Sequence, residues 1–96
     1  MKLGEDVFLL RPSFEALIQI EQSLGGLFSI VERATKGEVT LKDIVTVIFH
    51  CAQAGGSKLE FQDFGHLIAG HGVTQATTAF RAILTMALAG PNAEGD

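Results

Sequence analysis

Three histidines and one cysteine are the side chains best suited to soft-metal binding or nucleophilic chemistry: His50, Cys51, His66 and His71. Their spacing does not bring them together. Neighbouring residues on a helix point about 100° apart, so His50 and Cys51 cannot readily chelate one ion. His66 and His71 stand five apart, whereas a helix aligns two ligands at a spacing of about four. A cysteine nucleophile needs an exposed, activated thiol, and Cys51 sits in the most apolar stretch of the chain. The run Leu59-Glu60-Phe61-Gln62-Asp63-Phe64 resembles the exit of a calcium-binding helix–loop–helix. In that register the upstream ligand positions fall on Ala52, Ala54 and Gly56, which offer no side-chain oxygen. The segment around Gly37 fails in the same way, with Ala34 and Lys36 at ligand positions. Gly25-Gly26 and Gly55-Gly56 read as helix stops, not phosphate-binding loops. The expectation is no enzyme activity, no metal and no cofactor.

Composition narrows the remaining classes. The chain has 96 residues, 47% of them apolar, and a net charge of -4. That length suits one domain and the apolar content suits a folded one. Seven Lys and Arg residues are scattered without a cluster, which argues against nucleic-acid binding. No apolar run reaches the roughly 18–20 residues of a membrane span, and no signal-peptide pattern follows Met1. The single cysteine excludes an internal disulfide and fits a reducing cytoplasm.

The element that must position everything else is Thr40 to Ala54, TLKDIVTVIFHCAQA. Its β-branched run is ambiguous locally, but its length selects a helix. Thr40 and Asp43 form a capping box, and Val39 staples onto Ile44. Leu41, Ile44, Val45, Ile48 and Ala52 share one stripe, while Val47, Phe49 and Cys51 lie outside it. A helix apolar on nearly every side is central and buried.

Around it the pattern predicts a mostly α bundle of about five short helices with a short N-terminal strand or hairpin. Lys2-Leu3 and the apolar run Val7–Leu10 are strand material, turned by Gly4-Glu5-Asp6. Ser13 caps a first helix with Phe14, Leu17, Ile18, Ile20 and Leu24 on its apolar side. Gly25-Gly26 stops it, and a short helix to about Gly37 follows. After Gly55-Gly56 a fourth helix starts either at Ser57, boxed by Glu60, or near Glu60, with Leu59 stapled to Phe64. It runs to about His71. Thr74 caps a fifth helix to about Leu88. The helical domain spans residues 1–90, and 91–96 read as a tail. Leu9, Phe14, Leu17, Ile44, Ile48, Phe64, Ile68, Phe80 and Ile83 are the expected core.

The fifth helix is apolar over an arc of roughly 200°, wider than the stripe of about 100° that one core requires. Leu84, Met86 and Leu88 at its edge are therefore the candidate partner-binding residues. A weak repeat relates Gly37–Ile48 to Ser57–Ile68, and shared capping physics accounts for it.

The order of these segments carries a resemblance. Leu10-Arg11-Pro12-Ser13-Phe14, Ile20-Glu21 and Leu24-Gly25-Gly26-Leu27 resemble the opening of the gene-transfer-agent family of phage-like tail proteins. The Gly37–Leu41 helix start, the Leu59–Phe64 helix start and the closing Ala87–Gly90 are also similar. The resemblance implies a tail assembly chaperone that coats the apolar tape-measure protein in the bacterial cytoplasm and is absent from the finished particle. The same family is also labelled a tail tube protein, which implies a structural subunit retained in the tail. A generic helical interaction module is the third option. Other tail proteins and self-association into a homo-oligomer are further expected partners, while nucleic acid and membrane are not. Arg11 and Glu21 stand at family-motif positions and are placed to pair. The N-terminal strand is shorter here than is common in the family, which weakens any ring contact made through it.

Overall fold

A computed structural model of the chain describes residues 1–89. The expected Gly90-Pro91 stop and the 91–96 tail lie outside the described residues. Two strands, β1 (Lys2–Leu3) and β2 (Asp6–Val7), precede five helices. These are α1 (Phe14–Leu24), α2 (Leu27–Thr35), α3 (Leu41–Ala54), α4 (Phe61–His71) and α5 (Val73–Ala89). The strands pair antiparallel, with Lys2 opposite Val7 and Leu3 opposite Asp6. The mostly α bundle with an N-terminal hairpin is the expected architecture.

Helix α3 is the centre. It packs against α1, α4 and α5, and every residue from Asp43 to Ile48 is buried, with Cys51 and Ala52 beyond them. The capping box forms as the sequence predicts. The Asp43 N–H donates to the Thr40 hydroxyl at 3.1 Å, and the Thr40 N–H donates to the Asp43 carboxylate at 2.9 Å. Such a box satisfies two backbone donors that the helix itself leaves free. Leu41, expected in the buried stripe, is exposed on the first turn.

The other start and stop signals are mostly where the sequence puts them. The Ala16 N–H donates to the Ser13 hydroxyl at 3.2 Å, and Gly25 ends α1 at φ +94°. Helix α4 starts by the second of the two predicted routes: Glu60 is its N-cap residue, and Leu59 is partly buried against the core. Thr74 does not cap α5. The helix begins one residue earlier, and the Ala76 N–H donates to the Gly72 carbonyl at 2.8 Å. Thr74 thus lies inside the first turn.

Two expected core residues point to solvent. Leu9 is 65% exposed and Phe14 is 73% exposed. Side chains alternate along the extended segment that follows β2. Phe8 is buried and Leu10 packs partly on the core, so Val7 and Leu9 face outward. On α1 the buried side is Ala16 and Ile20, flanked by Leu17 and Leu24. At 100° per residue, Phe14 and Ile18 fall on the opposite side. The remaining expected core residues are buried, apart from Leu17, which is partly so.

An aromatic cluster ties the N-terminal segment to the bundle. The Phe8 and Phe64 rings meet edge-to-face at 4.9 Å, and Phe49 meets Phe61 at 5.3 Å and Phe64 at 6.1 Å. Edge-to-face pairs at these separations each contribute about 0.5–1.5 kcal/mol beyond the area they bury.

Candidate functional site

The residues with chemical potential remain apart. Burial pushes the Cys51 thiol up to about 12, so at neutral pH it is a protonated, apolar core group. Among the described residues, no three His, Cys, Asp or Glu side chains gather closely enough to hold a metal ion. His50 lies beside a shallow cavity between α1 and the end of α3. Its Nδ1 is buried and makes no hydrogen bond. Burial lowers its pKa, and the nearby Gln53 side chain offsets part of that. His71 packs instead against the hairpin turn at Gly4.

The family-motif pair expected between Arg11 and Glu21 does not form. The Glu21 carboxylate accepts the Leu27 N–H at 2.9 Å, closing the α1–α2 turn and satisfying a donor at the start of α2. The Arg11 side chain is exposed, while its backbone N–H donates to the Cys51 carbonyl at 2.9 Å. That bond straps the segment before Pro12 across the C-terminal end of α3. Among the described residues an ion pair instead joins Arg33 of α2 to Asp43 of α3, at 2.6 Å. Burial alone would raise the Asp43 pKa, but the Thr40 N–H and the Arg33 guanidinium hold it below the ordinary value. In the sequence Asp43 stands out only as a cap residue and Arg33 only as one of the scattered charges. The pair links residues ten apart across a loop, so no helical spacing signals it.

The three residues expected to form one partner surface on α5 separate. Leu84 is only 6% exposed and belongs to the core, which corrects its assignment to the surface. Met86 and Leu88 are 39% and 47% exposed. They are two positions apart on a helix, so their side chains point about 160° away from each other. They cannot serve one narrow contact.

Met86 instead lines an apolar groove of about 630 Å3 between α5 and the N-terminal segment. Thr78, Ala82 and Met86 form its α5 side, and Leu9, Leu10 and Pro12 form the opposite wall. The exposed Leu9 that left the core is thus a wall of this groove. A larger concavity of about 900 Å3 lies on the other side of β2. Asp6, Lys58, Asp63 and His66 border it, which suits an apolar partner less well. The groove beside α5 is therefore the candidate site, and its geometry offers contact area and shape without catalytic groups.

Neither the curated proteins nor the solved structures give a match. A scan against protein families matches residues 1–90 to the family described as phage tail tube protein, GTA-gp10. The match spans both strands, all five helices and both walls of the groove. This chain belongs to that family of phage and gene-transfer-agent tail proteins.

Proposed function

We propose that this chain is a non-catalytic protein-binding component of tail assembly, acting as a chaperone that holds a helical segment of the tape-measure protein until the tail tube grows around it. The observation that carries this reading is the apolar groove between α5 and the Leu9–Pro12 segment. A groove of this kind suits an amphipathic helix laid along it, and Met86 supplies an adaptable wall. The hairpin offers only two residues per strand, a small base for a wall built from joined sheets. On this reading the protein works in the bacterial cytoplasm and leaves before the particle is finished.

A second reading makes the chain a structural subunit retained in the tail. The family's description as a tail tube protein favours it, and speaks for it more directly than for a chaperone. Its contacts would run through the same apolar surfaces, with other tail proteins or copies of itself as partners.

Co-expression with the tape-measure protein of the same genome separates the two. A chaperone renders that long protein soluble, co-purifies with it, and is missing from purified particles. A retained subunit is present in particles and assembles with itself or with tube proteins. The variant Met86→Asp is expected to lower tape-measure capture at least about tenfold while far-UV circular dichroism stays unchanged. Full capture by that folded variant removes the groove from the contact.

A further inference from the structure

The hairpin has an open edge beside the larger concavity. The Phe8 N–H donates to the Met1 carbonyl, and the Met1 nitrogen donates to the Phe8 carbonyl, both at 2.7 Å. In an antiparallel ladder such bonded pairs alternate with non-bonded ones. The next pair along, Lys2 with Val7, is therefore non-bonded, and the N–H and C=O of Val7 point away from β1. Among the described residues neither group has a backbone partner, and the Val7 side chain is 74% exposed. Unpaired groups of this kind are a template for a further strand. Asp6, Val7, Phe8 and Leu9 all line the concavity of about 900 Å3, and no residue of β1 does, so it lies along the outer edge of β2. Its far bank is Gly56 to Leu59 with Asp63, His66 and Leu67 of α4. The open edge ends at Leu9, whose carbonyl rests against Gly55.

We infer that a single extended segment of another polypeptide docks in this concavity as a third strand beside β2. The backbone names the occupant. A free donor and acceptor on Val7 are matched by a strand, whose own N–H and C=O face one side at every second residue. A helix uses its backbone groups internally and has none to offer. The far bank argues against a second copy. The β2 of another copy would carry its own β1 into that bank, whereas a lone strand needs only about 4.8 Å beyond β2. Side chains of the added strand alternate between two sides. Those on the Phe8 side lie over Leu59 and Leu67, which pack partly on the core, and are apolar. Those on the other side flank Val7, where β-branched residues pair well. The rim carries both signs of charge, Asp6 and Asp63 with Lys58, so backbone and alternation select the segment and charge does not. This site is separate from the α5 groove and serves a chaperone or a retained subunit equally.

The test uses the full chain and a synthetic peptide of alternating valine and threonine, about seven residues long with a lysine added at each end. In the free protein the Val7 amide should exchange with solvent at least about tenfold faster than the Phe8 amide. Peptide binding should slow exchange at Val7 about tenfold and leave Phe8 as it was. Val7→Pro removes the outward N–H and spares the Met1–Phe8 bonds. It should weaken binding at least about tenfold with far-UV circular dichroism unchanged. Val7→Thr keeps the donor and the β-branch and should bind like the wild type. The same peptide N-methylated on successive residues, which blocks both of its edges, should not bind, and this arm needs no variant to fold. Lys2→Pro, which removes the outward donor of β1, should leave binding unchanged. Equal binding of the N-methylated peptide, undiminished binding by Val7→Pro, loss of binding on Lys2→Pro, or no binding of the unmodified peptide overturns the inference. So does self-association that Val7→Pro removes, because the edge then serves a second copy. Met86→Asp should leave peptide binding intact, so failure of the α5 groove and failure of the strand site are read separately.

Discussion

Asp43 does two jobs with one carboxylate: it closes the capping box with Thr40 and pairs with Arg33. Its side chain is only 7% exposed, against 33% for Arg33, so the two ends of the pair are not equivalent. Removing Arg33 leaves a carboxylate that still accepts the Thr40 N–H. Removing the carboxylate strands a backbone donor and a half-buried guanidinium. Asp43→Ala is therefore expected to cost about 2–3 kcal/mol and Arg33→Met about 1 kcal/mol, measured by urea unfolding. The Asp43 pKa is lowered on folding, so its contribution is complete above the ordinary value of 3.8 and disappears as pH falls below it. His50 acts in a separate window. Its folded pKa lies below the ordinary 6.5, so the unfolded chain takes up protons first and stability falls as pH drops below 6.5. His50→Gln should remove the loss of stability between pH 7.5 and pH 5.5 and leave the loss below pH 4 in place. A wild-type urea midpoint that is flat across the upper window would rule this out.

Between elements, the decisive contacts are made where a side chain is missing. Gly55 follows α3 at φ −86°, a conformation open to any residue. On conformational grounds alone, alanine there would stabilise by about 0.4–1 kcal/mol through the unfolded chain. A Cβ at Gly55, however, would overlap the Leu9 backbone carbonyl, and backbone cannot rotate away as a side chain can. Gly55→Ala should therefore destabilise by about 2 kcal/mol or more. Gly70 inside α4 gives the opposite sign. A Cβ there meets nothing within 4 Å, so Gly70→Ala should stabilise by about 1 kcal/mol. Thermal melts of the two variants should move in opposite directions. This contrast also marks what the sequence can reveal. Caps at Ser13 and Thr40 depend on residues three apart, and the stops depend on local backbone, so both were legible. That Gly55 is a crossing point was not, because Leu9 lies far away in sequence. Leu9 and Phe14 were misplaced because alternation and helical period identify opposite faces without saying which one meets the core. Met86 and Leu88 looked like one surface because an apolar arc does not reveal where its neighbours end.

For the whole molecule, the question is whether the N-terminal hairpin is an appendage or part of the fold. A two-stranded ribbon is marginal on its own, and a chain of this size buries only about 60–65% of its unfolded surface, so it has little core to spare. The hairpin answers both constraints by surrendering side chains to the bundle. Leu3 is 1% exposed, the Phe8 ring meets Phe64 edge-to-face, and just beyond the hairpin the Arg11 backbone N–H is strapped to the Cys51 carbonyl. The same segment forms one wall of the candidate groove, so folding and binding rest on the same few contacts. Leu3→Ala is expected to cost about 2–4 kcal/mol. At about 4–8 °C per kcal/mol for a domain of this size, Tm should fall by about 10 °C or more. If the hairpin is integral, the transition stays single and amide exchange speeds up together at Phe8 and across α3. If it is an appendage, exchange speeds up at Phe8 alone and the bundle melts as before. In that second case Leu3→Ala would also abolish partner binding while the helices stayed intact, because the groove would lose a wall without losing its floor.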